Sequence, residues 1–275
     1  MRKQFKIGYL IPLLLVGGYF LLTSAKTPTP PLNQARLLLS QLRGGDFTHA
    51  GDKEAVDMVI AKLKQEHPEV LKGNCLDVGC GFGGTADYLI KQGAKHVWGI
   101  DVDKAVIGYA KSKYKGVEFL TLDATSVSTH FKRGFFSFIY LFNVLYAIED
   151  KASVLKQLAE VASPGAILMI FDYSATDDSE PILDLAGNPM RPINTAEIRQ
   201  QLQESGWEVL EVRDLSNNFI TWYEQLLHKL EEKKQELKGH FLEKDIAKFS
   251  ATYLHILHQL HHETLGGLMI YAKRA

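Results

Sequence analysis

The sequence has few cysteines and no excess of charge of either sign. Cys75 and Cys80 are too few for a disulfide framework or a four-ligand zinc site, so we interpret both as small buried residues. The 31 basic residues nearly balance 32 acidic ones, for a formal net charge of -1, which argues against a nucleic-acid-binding protein. With 46% apolar and 23% charged residues, the chain has the composition of a folded globular protein.

One long apolar run is present, and it lies at the N-terminus. It covers residues 7–22 behind Arg2, Lys3 and Lys6, and with residues 23–25 it approaches the length of a bilayer span. We predict a membrane anchor or signal segment over residues 1–25, with cleavage after Ala25 as the alternative to an uncleaved anchor. A proline-rich linker and lead-in segment follows over residues 26–44, and the globular domain covers 45–275.

Strand-like and helix-like segments alternate from residue 53 onward, which predicts an α/β fold with a mostly parallel sheet and helices on both faces. The predicted strands are 74–78, 96–100, 117–122, 136–141, 166–171, 207–212 and 268–273. The predicted helices are 52–65, 83–92, 105–113, 151–162, 195–205, 220–238 and 243–262.

A glycine-rich turn, LDVGCGFGG over residues 76–84, joins the first strand to a helix. Gly79 and Gly81 allow a tight turn and a close approach of the backbone to a ligand, because a Cβ atom would occupy that space. Together with Gly84 they also satisfy G-x-G-x-x-G, which alone is a weak indication of a dinucleotide site. The turn therefore predicts a nucleoside-type ligand.

Three acidic residues mark the ends of the first three strands. Asp77 lies where a carboxylate would repel a pyrophosphate but suits a cationic ligand. Asp101 can accept hydrogen bonds from ribose hydroxyls, and Asp123 from an adenine amino group. This pattern favours S-adenosylmethionine over a nicotinamide cofactor, and a nicotinamide-dependent oxidoreductase is the alternative.

The motifs LDVGCGFGG, GIDVD, LDAT and PGAILMIFDY together resemble those of class I S-adenosylmethionine-dependent methyltransferases, over about residues 45–273. The resemblance implies a Rossmann-like seven-stranded methyltransferase fold whose last strand is antiparallel, with S-adenosylmethionine as the cofactor. The cofactor-binding residues that it implies are Asp77, Gly79, Cys80, Gly81, Asp101, Val102, Asp123, Ala124 and Asn143.

A narrower resemblance concerns FNVLYAIEDK at 142–151 and FDY at 171–173, which are similar to the N-methyltransferases acting on phosphoethanolamine or on sarcosine and dimethylglycine. It implies N-methylation of a small amine or amino-acid-like acceptor. Asn143 and Ala147 stand where the phosphoethanolamine enzymes carry an aspartate and a histidine, and Ile193 stands where they carry a tyrosine. We therefore expect an acceptor other than phosphoethanolamine itself.

The candidate site residues follow from this resemblance and from their chemistry. Tyr173, His49 and Asp172 are the candidates to accept a proton or to orient the nucleophile. The expected substrate contacts are Tyr146, Arg191, Trp222 and His255.

Two alternatives stay open for the activity: a catalytically silent S-adenosylmethionine-binding module, and a methyltransferase for a lipid acceptor at the membrane. No metal ion is expected. Because S-adenosylmethionine is a cytoplasmic metabolite, we expect a membrane-associated protein whose domain faces the cytoplasm, with export as the alternative.

Overall fold

The computed structural model describes residues 32–175, 182–185 and 187–275. The predicted membrane segment at residues 7–25 and the proline-rich linker at 27–31 lie outside these ranges. Within them, no helix combines the length and the apolar character that crossing a bilayer requires.

The predicted seven-stranded sheet is confirmed. Its strands are β1 (Asn74–Val78), β2 (His96–Asp101), β3 (Glu118–Thr121), β4 (Phe136–Phe142), β5 (Ala162–Ala175), β6 (Trp207–Asp214) and β7 (Leu265–Arg274). They lie side by side in the order β3-β2-β1-β4-β5-β7-β6. The five neighbouring strands β3, β2, β1, β4 and β5 pair in parallel. β7 runs antiparallel to both of its neighbours, β5 and β6, as the resemblance implied.

Helices cover both faces of this sheet. They are α1 (Gln34–Arg43), α2 (Asp52–Glu66), α3 (Gly84–Lys91), α4 (Lys104–Lys113), α5 (Val127–His130), α6 (Lys151–Val161), α7 (Thr195–Glu204), α8 (Ser216–Leu237) and α9 (Glu243–His261). Successive side chains of a strand point to opposite faces. Phe138 and Tyr140 of β4 accordingly belong to one buried apolar cluster, and Ile139 and Leu141 to another.

Helix α1 lies in the segment that the sequence predicted as a linker. Asn33 caps it by accepting hydrogen bonds from the backbone N–H groups of the first turn. Its buried side chains Leu38, Leu39 and Leu42 belong to the larger apolar cluster, and the helix packs against α8 and α9. α1 is therefore part of the folded body.

The starts of β5 and α8 differ from the predicted ones for local reasons. β5 begins at Ala162 rather than 166, and its pairing with β4 jumps from Ala162 to Ile167, so that Pro164, which has no N–H, lies in the irregular stretch. α8 begins at Ser216 rather than 220, because the Asp214 carboxylate accepts the Ser216 N–H at 2.8 Å.

The chain order reverses between β1 and β4, which are neighbours in the sheet. In open parallel sheets a crevice forms at the carboxyl ends of the strands beside such a reversal. The loops after β1, β2, β3 and β4 all border that crevice.

Candidate functional site

The turn after β1 is built so that only glycine fits. Gly79 and Gly81 have φ values of 67° and 53°, in the left-handed region that favours glycine. A Cβ atom on Gly79 would lie 2.5 Å from Cγ2 of Val144, and one on Gly81 would lie 2.6 Å from Oγ1 of Thr48. Both glycines line a cavity, so the backbone itself is the wall that a ligand meets.

Asp101 and Asp123 line one cavity of about 520 Å³ at the strand ends, which we call the cofactor cavity. Asp101 accepts the N–H groups of Gly81 at 3.1 Å and Asp103 at 2.9 Å, which fixes its carboxylate beside the glycine turn. Asp123 accepts the backbone N–H and the hydroxyl of Thr125, both at 2.8 Å. Each carboxylate retains lone pairs for further donors, such as hydroxyl or amino groups of a nucleoside.

Two further predicted cofactor residues, Val102 and Ala124, line the same cavity. Val102 is 67% exposed, so its side chain is an apolar part of the wall that a ligand can reach. The Cys80 side chain is buried, and its backbone N–H donates to the carbonyl of Ile100 at 2.9 Å, so this residue holds the turn against β2.

Asp77 lies beneath the glycine turn and lines neither of the cavities described here. It faces Tyr140 across the pairing of β1 with β4, and among the described residues its Oδ2 atom has no hydrogen-bond partner. Burial raises the pKa of Asp77 well above its ordinary value, and the neighbouring Asp101 raises it further. Because Asp77 reaches neither cavity, its contact with the cofactor stays a prediction.

Asn143 stands directly after β4 and borders both the cofactor cavity and a second cavity. Its φ of 52° is uncommon for a residue other than glycine. The side-chain oxygen accepts the Ala50 N–H at 2.9 Å, while the side-chain nitrogen is buried without a partner among the described residues. Asn143 therefore ties the segment before α2 to the loop after β4.

The second cavity, of about 100 Å³, opens between the sheet and the helices α1, α8 and α9. We call it the tyrosine cavity, because Tyr146, Tyr173, Tyr223 and Tyr253 line it. The hydroxyls of Tyr173 and Tyr223 are in hydrogen-bond contact, and the Tyr146 ring meets the Tyr173 ring edge-on at 5.4 Å. Burial raises the pKa of Tyr173 and Tyr223 well above the ordinary value, so the cavity presents neutral hydroxyls and ring faces.

His49 lines the tyrosine cavity, but both of its ring nitrogens are engaged. Nδ1 lies 2.9 Å from the carbonyl of Ala50, and Nε2 lies 3.0 Å from the hydroxyl of Thr85, so Nδ1–H donates and Nε2 accepts. The ring stacks on Phe142 at 4.4 Å. Burial lowers the pKa of His49 to about 3, and the imidazole is therefore neutral.

Asp172 is fully buried and holds the loop that follows β4. Its Oδ2 accepts the N–H groups of Val144 at 2.9 Å and Leu145 at 2.7 Å, and Oδ1 accepts the N–H of Tyr173 at 2.8 Å. Burial raises its pKa to about 6, although these backbone hydrogen bonds act in the opposite direction. Asp172 does not line the tyrosine cavity and serves to position the residues that do.

Of the four predicted substrate residues, Tyr146 lines the tyrosine cavity and the other three lie elsewhere. Trp222 packs between Phe171 and Phe219. The Arg191 guanidinium lies outside the cavity, 3.6 Å from the Glu149 carboxylate. His255 is on α9, but it is its helix neighbours at 253 and 256 that face the cavity.

Sequence reasoning missed Tyr253, Thr48 and Arg36, which also line the tyrosine cavity. Tyr253 carries a signal that could have found it, since it lies on the apolar face of α9 with Phe249 and Ile256. Arg36 carries no such signal, because its helix was predicted as a linker.

Comparisons with known proteins show the family and the fold of the chain. A family model described as a methyltransferase domain matches residues 51–212. Phosphoethanolamine N-methyltransferase 1 of Zea mays is 26% identical over 218 residues, which are 76% of this chain and 42% of that protein. The chain thus spans about two fifths of the length of the curated relatives it matches.

Solved structures are similar in fold. Phosphoethanolamine N-methyltransferase 2 of Haemonchus contortus, in complex with phosphomonomethylethanolamine and S-adenosylhomocysteine, matches with a TM-score of 0.77 at 17% identity, over 89% of this chain and 58% of that one. The (4+2)-cyclase SpnF matches with a TM-score of 0.71 at 19% identity, over 90% of this chain and 97% of that one. At these identities the likeness establishes the fold, and the chemistry has to be argued from the site.

Proposed function

Because the chain belongs to the methyltransferase-domain family, within the class I S-adenosylmethionine-dependent group, we propose that it methylates the nitrogen of a small amine or amino-acid-like acceptor. The observation that carries this proposal is the junction of the two cavities. The cofactor cavity and the tyrosine cavity share Gly79, Asn143 and Tyr146 as wall residues. A methyl donor in one and an acceptor nitrogen in the other would meet there.

The residues of the cofactor cavity fit S-adenosylmethionine, which when bound supplies a methyl group on a positively charged sulfur. The Asp101 carboxylate can accept hydrogen bonds from ribose hydroxyls, and the Asp123 carboxylate can accept one from an adenine amino group. The two glycines let the backbone approach the cofactor without a side chain between them.

The tyrosine cavity supplies what an amine acceptor needs. Methyl transfer depends on holding the nucleophile in line with the methyl carbon, and the Tyr173–Tyr223 hydroxyl pair can fix an amine by hydrogen bonds. An ammonium must lose a proton before its lone pair can attack, and the neutral hydroxyl pair can hold the resulting free amine by hydrogen bonds. The Tyr146 ring offers a face to an alkylated cation.

The phosphate contacts of the phosphoethanolamine enzymes are not reproduced in this cavity, where the positive charge of Arg36 is accompanied by the negative charge of Asp184. Ile193, at the position of a tyrosine in the phosphoethanolamine enzymes, is buried and apolar. Arg191 and His255, two of the expected substrate contacts, are not among the residues that line the cavity. We therefore propose an acceptor without a phosphate.

The experiment supplies the purified chain with methyl-labelled S-adenosylmethionine and a panel of primary amines, N-methylated amino acids and phosphoethanolamine. We expect a labelled N-methyl product from a non-phosphorylated amine, identified by mass spectrometry. Tyr173→Phe removes a hydroxyl that positions the amine and should lower kcat by about 100-fold at unchanged cofactor affinity. The matched control Tyr88→Phe removes a hydroxyl that lies outside both cavities and donates to the exposed Asp57, and it should leave kcat unchanged.

A catalytically silent binding module is the second candidate, because Asn143 and Ala147 replace two polar residues of the phosphoethanolamine enzymes. Cofactor binding without a labelled product from any amine would favour that candidate. Label in phosphoethanolamine alone would contradict the proposed acceptor class.

A further inference from the structure

Arg36, in the first turn of α1, is a partly buried cation on the wall of both cavities. Leu39 lies one helical turn further on, on the same face of α1, and lines the tyrosine cavity beside it. The buried leucines of α1 belong to the larger apolar cluster, and their packing turns this face of the helix toward the cavity. The family model matches residues 51–212, so Arg36 belongs to a part of the chain that this match does not cover.

The Arg36 guanidinium forms no hydrogen bond or ion pair within the described part of the chain. The buried Arg43, in contrast, pairs with Asp52, and the partly buried Arg274 donates to backbone carbonyls. The other described arginines that lack such a partner are exposed, namely Arg133, Arg199 and Arg213. Because five N–H donors held away from water need acceptors, the position of Arg36 fits a site that receives an anion.

A second unpaired donor lies on the same wall. The side-chain nitrogen of Asn143 is buried without a partner among the described residues, and Asn143, like Arg36, lines both cavities. A carboxylate is planar and has two acceptor oxygens, so it matches the fork of a guanidinium. Its remaining lone pairs can accept from an amide N–H. The donors at this wall therefore suit a carboxylate.

The charges along the cavities favour one negative charge on the ligand and not two. Among the described residues, Arg36 is the only cationic side chain that lines either cavity. Asp184 lines both cavities as well, and its carboxylate accepts the Asn188 N–H at 2.8 Å, which holds it in its turn. One guanidinium balances one carboxylate, whereas the second charge of a phosphate dianion would face Asp184 without a cation of its own.

The cofactor has other donors for the carboxylate of its methionine portion. The Thr48 hydroxyl lies beside the glycine turn, where a Cβ atom on Gly81 would be 2.6 Å from it. Thr48 and both glycines of the turn line the tyrosine cavity at its border with the cofactor cavity. Arg36 therefore remains for the acceptor.

We propose, on the basis of the function proposed above, that Arg36 binds a carboxylate of the methyl acceptor and so selects amines that carry one. The Tyr173–Tyr223 hydroxyl pair lines the same cavity as Arg36 and holds the amine end of the molecule. Fixing the acceptor at both ends limits the directions in which its nitrogen can point. Arg36 is a substrate-binding residue in this account and takes no part in proton transfer.

The first test compares amino acids with their carboxamides, which have the same shape without the negative charge. The probes are glycine, β-alanine and their N-methyl derivatives, each paired with its amide. We expect a KM about 10- to 100-fold lower for the carboxylate of each pair, as for a charge-assisted hydrogen bond. The amide lowers the pKa of the neighbouring amine and supplies more free amine, so this preference cannot arise from deprotonation.

The second test changes the residue. Arg36→Met keeps an apolar stem and removes the guanidinium, so the KM of the carboxylates should rise by about 10- to 100-fold. The KM of the amides and the affinity for S-adenosylmethionine should stay unchanged. Arg36→Lys keeps the charge without the fork and should retain part of the preference. Arg199→Met, which alters an exposed arginine of α7 that lines neither cavity, is the matched control and should behave as wild type does.

A binding measurement separates this proposal from the proposed methylation. Calorimetry of the same probes with the chain saturated with S-adenosylhomocysteine needs no turnover. Carboxylate binding that is lost in Arg36→Met supports the proposal even if no product forms, and Arg36→Gln takes its place if Arg36→Met does not fold.

Three results would overturn the proposal. The first is that wild type binds none of the carboxylates, or binds them no better than their amides. The second is a loss in Arg36→Met that acids and amides share equally, which shows a structural role. The third is weaker binding of S-adenosylmethionine with an unchanged preference among acceptors, which assigns Arg36 to the carboxylate of the cofactor.

Discussion

The charge of His49 is decided by the residues around it. The unfolded chain holds this imidazole in water with an ordinary pKa of about 6.5, whereas burial lowers its pKa in the folded chain to about 3. Between these two values the unfolded state binds a proton that the folded state does not. The contribution of His49 to the free energy of unfolding is therefore fully present above pH 6.5 or so, the pKa of the unfolded chain. It is lost progressively as the pH falls from there toward the folded pKa of about 3.

His49→Phe tests this argument at the scale of one residue. The variant keeps the ring stacked on Phe142 but leaves the Thr85 hydroxyl and the Ala50 carbonyl without this partner. It should be less stable than wild type at pH 7 by about 1–3 kcal/mol. From pH 7 to pH 5 the difference should narrow by about 2 kcal/mol, because only wild type carries the histidine penalty.

Urea unfolding at both pH values measures this difference. Asp172, with its raised pKa of about 6, changes stability in the opposite direction over part of this range. It is present in both proteins, so the comparison removes its contribution. A difference that stays constant between pH 7 and pH 5 would contradict a neutral buried His49.

Individual site residues differed in how far sequence alone could predict them. Asp101 and Asp123 could be predicted as site residues because each stands at or just after the end of a parallel strand. The ends of such strands meet at one edge of the sheet. Tyr253 could not be predicted, because the residues around it lie on helices far apart in the chain. Local pattern does not specify which helix faces will meet.

The connection between α1 and α2 is fastened to α4 by one buried carboxylate. Asp46 accepts hydrogen bonds from Lys113 at 2.6 Å, Ser40 at 2.5 Å and Tyr114 at 2.7 Å. Burial opposes ionisation of this carboxyl, but these bonds outweigh it and hold its pKa below the ordinary value. Thr48 and His49, which line the tyrosine cavity, belong to this connection.

Asp46→Asn should loosen this connection, because an amide cannot form the ion pair with Lys113 and accepts fewer hydrogen bonds. We expect faster amide hydrogen exchange across residues 44–51, a loss of about 1–3 kcal/mol in unfolding free energy and faster cofactor dissociation. Asp57→Asn, which alters an exposed carboxylate bonded to Tyr88, is the control. Unchanged exchange at 44–51 would show that Asp46 does not hold the connection.

Helices and strands, like individual residues, differ in how well the sequence predicts them. The central strands are apolar on both faces and bounded by glycine or proline, so their sequences predict them well. α1 was not predicted because its buried face holds only three leucines, Leu38, Leu39 and Leu42, in a segment that follows a proline-rich stretch. Its place in the fold comes from packing against α8 and α9, which a local pattern does not contain.

At the scale of the whole molecule, strand order creates the site. The reversal between β1 and β4 opens the crevice in which loops from four strands come together. The resemblance to class I methyltransferases predicted this topology, including the antiparallel β7. The alternation of strands and helices in the sequence predicted only an α/β fold. Attachment to a membrane through residues 7–25 stays a prediction.

Calorimetric titration of the chain with S-adenosylmethionine tests the central claim most directly, since everything else depends on Asp101 and Asp123 forming a nucleoside site. We predict binding in the micromolar range, weakened by about tenfold or more in Asp101→Ala, which removes a charge-assisted acceptor. Glu118→Gln, an exposed carboxylate on β3, should bind as wild type does. No heat of binding, or equal affinity in wild type and Asp101→Ala, would contradict the account.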